Sequence, residues 1–350
     1  MAYSTISKPS LHFNTKLYTG NGTTTNAQTG VGFQPDFLWL KRRNGSANHF
    51  AADVVRGTYS DGYKLIVPND TDAEADYTYV KTLDSDGFTL GSTNANVNGN
   101  GDTYVGWAWK AGGGQGSSNT AGSINTTYTS VNTTAGFSIS KYTGTGANAT
   151  VGHGLGVAPK MIITKCTGNT QQWAVYHSSL GATKFLRLNT DIAAATSSAR
   201  WNDTAPTNSV FSVGTDGETN ENGQPMIAYC FAEKTGYSKF GSYTGNGTTD
   251  NAFIYTGFKP RFFMTKRYSD TARWCMWDAA RDPDNPMAGL IYANESSAEG
   301  TYSTGYLDFC SNGIKIRDGN SKWGADGSNY VYMAFGQSLV GSNNTPCNAR

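Results

Sequence analysis

One spacing, present three times, restricts the fold of this 350-residue chain more than anything else in it. The string Tyr18 to Gly22 (Tyr-Thr-Gly-Asn-Gly) recurs at Tyr142 to Gly146 and at Tyr243 to Gly247. Each Tyr is followed at one constant interval by Pro35, Pro159 or Pro260, and each Pro at a second constant interval by Lys41, Lys165 or Lys266. A third constant step leads to Asp53, His177 and Asp278, each behind an aromatic-containing run. The units also close alike. A turn at Asp86-Gly87, Asn208-Ser209 or Asn312-Gly313 precedes Trp109, Phe231 or Phe335 by the same interval in every unit, and those aromatics end apolar runs that begin at Tyr104, Met226 and Tyr330. Only the middle varies in length, from Asp53 to Asp86, from His177 to Asn208 and from Asp278 to Asn312. Fixed ends around a variable middle point to recurrent strand partners joined by a tolerant loop.

Period and punctuation make each unit β. The runs Phe37 to Leu40, Met161 to Ile163 and Phe262 to Met264 are short and apolar with Pro at their start, as in strands buried on both faces. Asp86-Gly87 and Asn312-Gly313 are tight-hairpin dipeptides beside apolar runs. Gly supplies 42 of 350 residues and charged residues only 15%, a composition that argues against helical bundles and coiled coils. Aromatics, at 13%, provide much of the area to be buried. The expected fold class is all-β: three tandem antiparallel β-sandwich repeats of jelly-roll or concanavalin-like type.

Boundaries are expected where composition shifts. Residues 1–112 form the first repeat with an N-terminal arm, and 113–135 a Gly/Ser/Thr/Asn-rich linker or added hairpin in which Ile124 to Val131 can pair as an extra strand. Residues 136–236 are the second repeat and 237–350 the third with a C-terminal tail. The short join between the last two predicts that they pack closely, with the first set further off or joined by an added hairpin. The arm Met1 to Ser10 and the tail Val340 to Arg350 are polar ends that need a neighbour to become ordered.

Lys and Arg number 27 against 26 Asp and Glu, so no broad basic surface is available for nucleic acid or an anionic membrane. No stretch approaches the ~20 apolar residues of a membrane span, and Met1 to Leu17 has no signal-peptide core. Cys166, Cys230, Cys275, Cys310 and Cys347 form no CxxC pair or even framework and read as small core residues made in a reducing compartment.

The candidate chemical motifs favour structural roles. Asp84-Ser-Asp86-Gly resembles the start of a calcium loop, but its third-unit equivalent loses the first carboxylate, so a hairpin turn is the expected reading. Asp53 with Arg56, and Asp278 with Arg281, look like an acid and its orienting cation; the second unit has His177 and Leu180 instead, as for an ion pair at a domain edge. His12, His49, His153 and His177 show no metal-ligand spacing, and no Gly-x-Ser-x-Gly elbow is present. The glycine strings Gly99 to Gly101 and Gly112 to Gly116 lack the Lys and helix of a phosphate cradle. No catalytic, cofactor-binding or metal residue is therefore expected, and the protein reads as a non-enzyme. Exposed Tyr, Trp and Asn are suited to stacking on and hydrogen-bonding sugars, but most of these aromatics fall on strand positions and read as core, and the sequence locates no binding place.

The repeats resemble a group of virion proteins of marine tailed phages, especially short-tailed phages of cyanobacteria and other oceanic bacteria. The resemblance is carried by Met1 to Ile6, Leu17 to Gly22, Gly32 to Asp36, Asp84 to Gly91, Tyr104 to Gly112 and Leu339 to Arg350, and spans essentially the whole chain. The second unit departs from the pattern at Ala158 and His177. The resemblance implies concanavalin-like sandwich domains in a virion structural protein assembled in the host cytoplasm, tail-fibre-like or tail-associated and serving host adsorption. The alternative is a capsid decoration or cementing protein; a polysaccharide-degrading tailspike-like enzyme comes third. Implied partners are other virion proteins and a host surface glycan, with the protein oligomeric or multi-copy in the particle. Three similar units in one chain can also close into a threefold cluster rather than an open line.

Overall fold

The computed structural model describes residues 6–301 and 305–338; Met1 to Thr5 of the arm and the tail from Leu339, with Cys347, lie outside the described residues. The protein is an all-β sandwich fold, 41% strand and 3% helix. The first unit comprises β1 (Phe13–Thr19), β2 (Asn26–Thr29), β3 (Phe37–Arg42), β4 (Phe50–Asp53), β5 (Thr58–Tyr59), β6 (Gly62–Tyr63), β7 (Leu65–Ile66), β8 (Val80–Asp84), β9 (Gly87–Leu90) and β10 (Thr103–Trp109). They form a sheet ordered β1-β10-β3-β4-β7, a smaller one ordered β2-β9-β8, and a β5-β6 ribbon.

The second unit has β11 (Tyr128–Asn132), β12 (Phe137–Thr143), β13 (Ala149–Gly152), β14 (Met161–Cys166), β15 (Ala174–His177), β16 (Lys184–Arg187), β17 (Ala195–Thr196), β18 (Val210–Val213) and β19 (Pro225–Phe231). Its large sheet is ordered β11-β12-β19-β14-β15-β16-β17 and its small one is β13-β18. The third unit has β20 (Ser238–Thr244), β21 (Phe253–Tyr255), β22 (Pro260–Arg267), β23 (Trp274–Asp278), β24 (Gly289–Tyr292), β25 (Gly300–Thr301), β26 (Leu307–Cys310), β27 (Gly313–Ile316) and β28 (Asn329–Gly336). It gives sheets β20-β28-β22-β23-β24-β25 and β21-β27-β26.

The repeated residues account for the repeated pairing. In each unit the closing strand lies between the Tyr-Thr-Gly strand and the post-Pro strand, with Trp109, Phe231 and Phe335 opposite Phe13, Phe137 and Ser238. The Tyr18, Tyr142 and Tyr243 hydroxyls donate to the carbonyls of Val97, Thr219 and Trp323 and so tie the first strand to the loop before the last. The first Gly of the motif is required by contact, since a side chain at Gly20 would lie 2.1 Å from Gly99 O. The second takes a positive φ of 63° at Gly22, 66° at Gly146 and 74° at Gly247. The second unit lacks the strand before its turn and forms α1 (Ser198–Trp201) upstream, which sets Trp201 edge-on to Tyr176.

Each large sheet is buried on both faces, and the pleat sorts its residues between two cores. On β14 and β19, Ile162, Met226, Ala228 and Cys230 face the second sandwich, while Met161, Ile163, Ile227, Tyr229 and Phe231 face a core shared by all three units. On β22 and β28, Phe263, Tyr332 and Ala334 face the third sandwich, and Phe262, Met264, Val331, Met333 and Phe335 join the shared core. The three closing aromatics meet there, with ring centroids 6.4 Å apart for Trp109–Phe231, 5.9 Å for Trp109–Phe335 and 6.3 Å for Phe231–Phe335.

The expectation that the first unit stands further off is therefore corrected. Phe37 packs on Tyr229 of the second unit at 4.4 Å and Phe13 on Phe335 of the third at 4.9 Å. The cause is the apolar outer face of every large sheet, which an isolated sandwich would leave in water. The tract around 113–135 is ordered as well: Ser117 bridges Thr129, Ile124 bridges Val151, and β11 extends the second large sheet.

Candidate functional site

The residues that carry the repeat converge on three seams between units. Lys41, Lys165 and Lys266 are the penultimate residues of the post-Pro strands, with their side chains on the shared-core side. Each ammonium donates to the carbonyl of the residue after it (Arg42, Cys166, Arg267) at 2.7 to 2.8 Å. Each also donates to one carbonyl of another unit: Lys41 to Ser296 O at 3.3 Å, Lys165 to Thr71 O at 3.1 Å, and Lys266 to Asp191 O at 3.1 Å. Further along each chain segment, the N–H of Ala47, Gln171 or Ala272 donates to that same carbonyl. Between the Lys and that N–H, the carbonyl of Arg43, Thr167 or Tyr268 accepts the N–H of Glu299, Glu74 or Ala194. An aromatic ring N–H beyond them completes the seam: Trp173 donates to Val67 O and Asp70 O, Trp274 donates to Arg187 O, and His49 Nε2 lies 3.1 Å from Tyr292 O and from Glu295 O. First grips third, second grips first and third grips second, so the ring is closed.

Burial lowers Lys41, Lys165 and Lys266 to about 8 each, with the Arg42 charge adding to the effect at Lys41. Their ammonium groups are satisfied by carbonyl dipoles rather than by carboxylates.

The acid-cation pairs lie in these seams, not at a domain edge. Arg56 Nε sits 2.5 Å from Asp53 Oδ2, and Arg281 Nε 2.5 Å from Asp278 Oδ2, with all four side chains fully buried. The Asp53 carboxylate also accepts the Tyr229 hydroxyl at 2.7 Å, and Asp278 accepts Trp107 Nε1 at 3.0 Å. Burial by itself would lower Arg56, and the Asp53 charge, with Tyr229 and Glu74, carries it above its ordinary value. Such a pair is set inside because the shared core surrounds it, and its remaining lone pairs are occupied by bonds to the next unit. In the second unit His177 Nε2 instead faces Tyr332 O at 3.1 Å.

The other singled-out residues do not come together. Asp86 accepts the N–H groups of Gly30 and Gly32 while Asp84 accepts the Thr89 hydroxyl, so their carboxylates serve the β8-β9 hairpin and do not converge. His153, His177 and His49 stand apart from one another, and each Nδ1 accepts an N–H, from Leu155, Ser179 and the Trp39 indole respectively. That pattern fixes the neutral Nε2–H tautomer, and burial lowers all three, His177 to about 4. His12 lies 6.1 Å from the Tyr237 ring. Of the glycine strings, Gly113 donates to Asp36, whose carboxyl burial pushes up to about 6, and Gly99 donates to the Tyr104 hydroxyl. Cys166, Cys230 and Cys275 are buried free thiols and Cys310 is half-buried. Among the described residues no cluster of His, Cys, Asp and Glu is arranged to hold a metal ion, and no helix is long and apolar enough to cross a membrane.

The outer surface carries one feature that the sequence did not locate. Phe253 and Tyr255, on the edge strand β21, are 48% and 63% exposed, and Tyr255 borders a groove of about 190 Å³ with Glu233 and Lys239. Comparing units supplies the signal. The corresponding positions hold Ala27 and Thr29 in the first unit, and Val151 and the buried His153 in the second.

A single family model runs through all three units, matching residues 8–338. The chain belongs to the DUF7483 family. That family is described as a domain of unknown function. The DUF7483 match extends from before β1 to past β28. No curated protein matches this DUF7483 chain.

Proposed function

We propose that this protein is a non-enzymatic structural protein of a phage virion, displayed on the particle and acting in host adsorption as a tail-fibre-like or tail-associated module. In this reading the three units are copies of one sandwich module, and the protein works as a rigid display body. The closed ring of seams carries the proposal. The equally spaced polar residues Lys41, Asp53, Lys165, Lys266 and Asp278 are spent on holding units together, with backbone carbonyls, an indole and a phenol as partners. The sequence resemblance to tailed-phage virion proteins supplies the setting.

A second reading, capsid decoration, is favoured by the compactness of the ring. Ser10 and Ser338 meet with hydroxyls 2.8 Å apart, which brings both ends of the described chain to one place, a geometry that suits a body seated by one end on a shell. Quantitative electrophoresis of purified particles separates the two: a few to a few dozen copies support the tail assignment and hundreds support decoration. Absence from particles overturns both. Incubation with host envelope polysaccharide is expected to give retention without release of reducing ends, and release would overturn the non-enzyme reading.

A further inference from the structure

We propose that the outer face of β21 is a saccharide-binding ledge for neutral oligosaccharides of pyranoses with equatorial hydroxyls, with Tyr255 as the principal stacking platform. The proposal deepens the adsorption reading and rests on it for its biological setting.

Four observations carry it. First, the strand alternates exposed, buried and exposed, so Phe253 and Tyr255 share one face while Ile254 fills the sandwich. Two residues along a strand separate the ring anchors by about 6.6 Å, which sets two platforms in a row.

Second, the Phe253 ring lies over bare backbone: a side chain at Gly313 would meet it at 2.7 Å, whereas the Tyr255 hydroxyl stands at ordinary contact distance, 3.6 Å, from where a side chain at Gly257 would begin. Glycine beneath an aromatic lets the ring settle against the main chain with its other face towards solvent, which reduces the ordering cost of a ligand stacked on it.

Third, the fold does not require these aromatics, because Ala27 and Thr29, or Val151 and His153, serve the same positions of the repeated sandwich. Large apolar side chains in water where sister units have small, polar or buried ones are explained by a ligand better than by packing.

Fourth, the rim has sugar-binding polarity. Lys239 Nζ donates to Glu233 Oε1 at 2.8 Å, Glu233 Oε2 accepts the Phe240 N–H at 3.3 Å, and both side chains line the groove beside Tyr255. A paired acid and base can accept from and donate to vicinal hydroxyls, and the zero net charge favours a neutral glycan over a uronate. The apolar C–H face of an equatorial pyranose matches the negative face of the phenol ring. Two aromatic side chains, each able to bury about 150–250 Å², fall well short of the roughly 800 Å² per partner of a stable protein interface.

The test uses the full-length protein with cellohexaose and chitohexaose as probes, read by saturation-transfer NMR and titration calorimetry. Wild type is expected to bind at least one of them in the millimolar to high micromolar range, with transfer concentrated on sugar ring C–H protons. Tyr255→Ala should weaken that binding at least tenfold, Phe253→Ala by a smaller factor, and Tyr255→Trp should preserve it. Val157→Ala, exposed elsewhere, should leave it unchanged. All these sites are solvent-facing, and unchanged melting temperatures will show that the variants fold. Failure of both probes to bind, or binding indifferent to Tyr255→Ala, would overturn the ledge. So would sedimentation showing self-association that Tyr255→Ala abolishes, since a second copy would then be the occupant. Each of these failures leaves the copy number on particles untouched, and absence from particles leaves the binding result standing.

Discussion

Tyr229 donates its phenolic proton to Asp53 Oδ2 across 2.7 Å, and this bond joins the second unit to the first. The corresponding bond runs from Trp107 to Asp278, joining first to third. At the remaining seam the donor position is Met333, which has no proton to give, and the acceptor position is His177 rather than a carboxylate. The loss of a donor and the loss of the acid coincide, because a buried carboxylate facing a thioether would be left with unsatisfied lone pairs. The departure of the second unit is thus a compensated exchange.

That exchange predicts the cost of reversing one half of it. His177→Asp places a carboxylate at a site only 1% exposed, with Leu180 where the other units have Arg56 and Arg281. A loss of about 3 to 5 kcal/mol is expected by urea unfolding. His177→Asp with Leu180→Arg should regain part of it. No recovery in the double variant would show that position 180 cannot reach the acid as Arg56 and Arg281 do.

The three seam lysines predict a gain in stability on mild alkalinisation. Their ordinary value is 10.5 and burial lowers them to about 8 in the folded state. Between those limits the unfolded chain holds protons that the native protein has released, so stability rises with pH, by up to about 1.4 kcal/mol per pH unit for each lysine. Above pH ~10 the buried tyrosines Tyr18, Tyr142 and Tyr243, raised by burial, reverse the trend. Chemical denaturation at pH 8, 9 and 10 should show the rise, and Lys266→Met should remove about one third of its slope. A flat profile in wild type would contradict the lysine burial.

Much of this fold was legible in the sequence because spacing reports pairing. The Tyr, Pro and Lys of each unit are separated by fixed intervals, as are its turn and closing aromatic, since their strands sit side by side, and the apolar run Phe37 to Leu40 already announced burial on both faces. What covered the second face was not legible. Spacing fixes register within a sheet and carries no information about which sheet lies opposite, so Trp109, Phe231 and Phe335 read as three separate strand ends although they touch. The acid-cation pairs were placed at an edge for the same reason: Asp53 and Arg56 reveal each other by their separation, while Tyr229, 176 residues away, does not. The ledge was hidden because exposure of Tyr255 depends on β21 being an edge strand, which composition cannot report.

Acidification should destabilise the fold through histidine, at the seams for His49 and His177 and within the second unit for His153. His49, His153 and His177 each accept an N–H at Nδ1, so protonation there removes a hydrogen bond as well as charging a buried ring. A histidine lowered in the folded state contributes stability that is lost as pH falls, for His177 between 6.5 and about 4. Asp36, raised to about 6, works in the opposite direction over the same range. With His12 lowered as well, four histidines stand against one raised acid and give a net loss, visible as a fall in melting temperature between pH 7 and pH 4.5. His49→Gln keeps a donor and an acceptor without a titrating ring and should flatten part of the fall. An unchanged slope in that variant would remove His49 from the account.

The contact of Trp109, Phe231 and Phe335 predicts how the molecule unfolds. Each ring belongs to the closing strand of its own unit and packs on both others, so truncating any one opens a void that borders all three. Phe335→Ala is expected to cost about 3 to 5 kcal/mol. Because the shared core takes one face of every large sheet, the loss should appear as one cooperative transition shifted as a whole, with calorimetric and van't Hoff enthalpies equal. Hydrogen exchange at the Trp107 and Trp109 indole N–H groups reports on the first unit, although the substitution lies in the third. If the variant shows an early transition that leaves those indoles protected, the sandwiches are separately stable and the shared core is a contact between finished domains. If fluorescence and far-UV circular dichroism fall together at a lower denaturant concentration, the ring folds as one body.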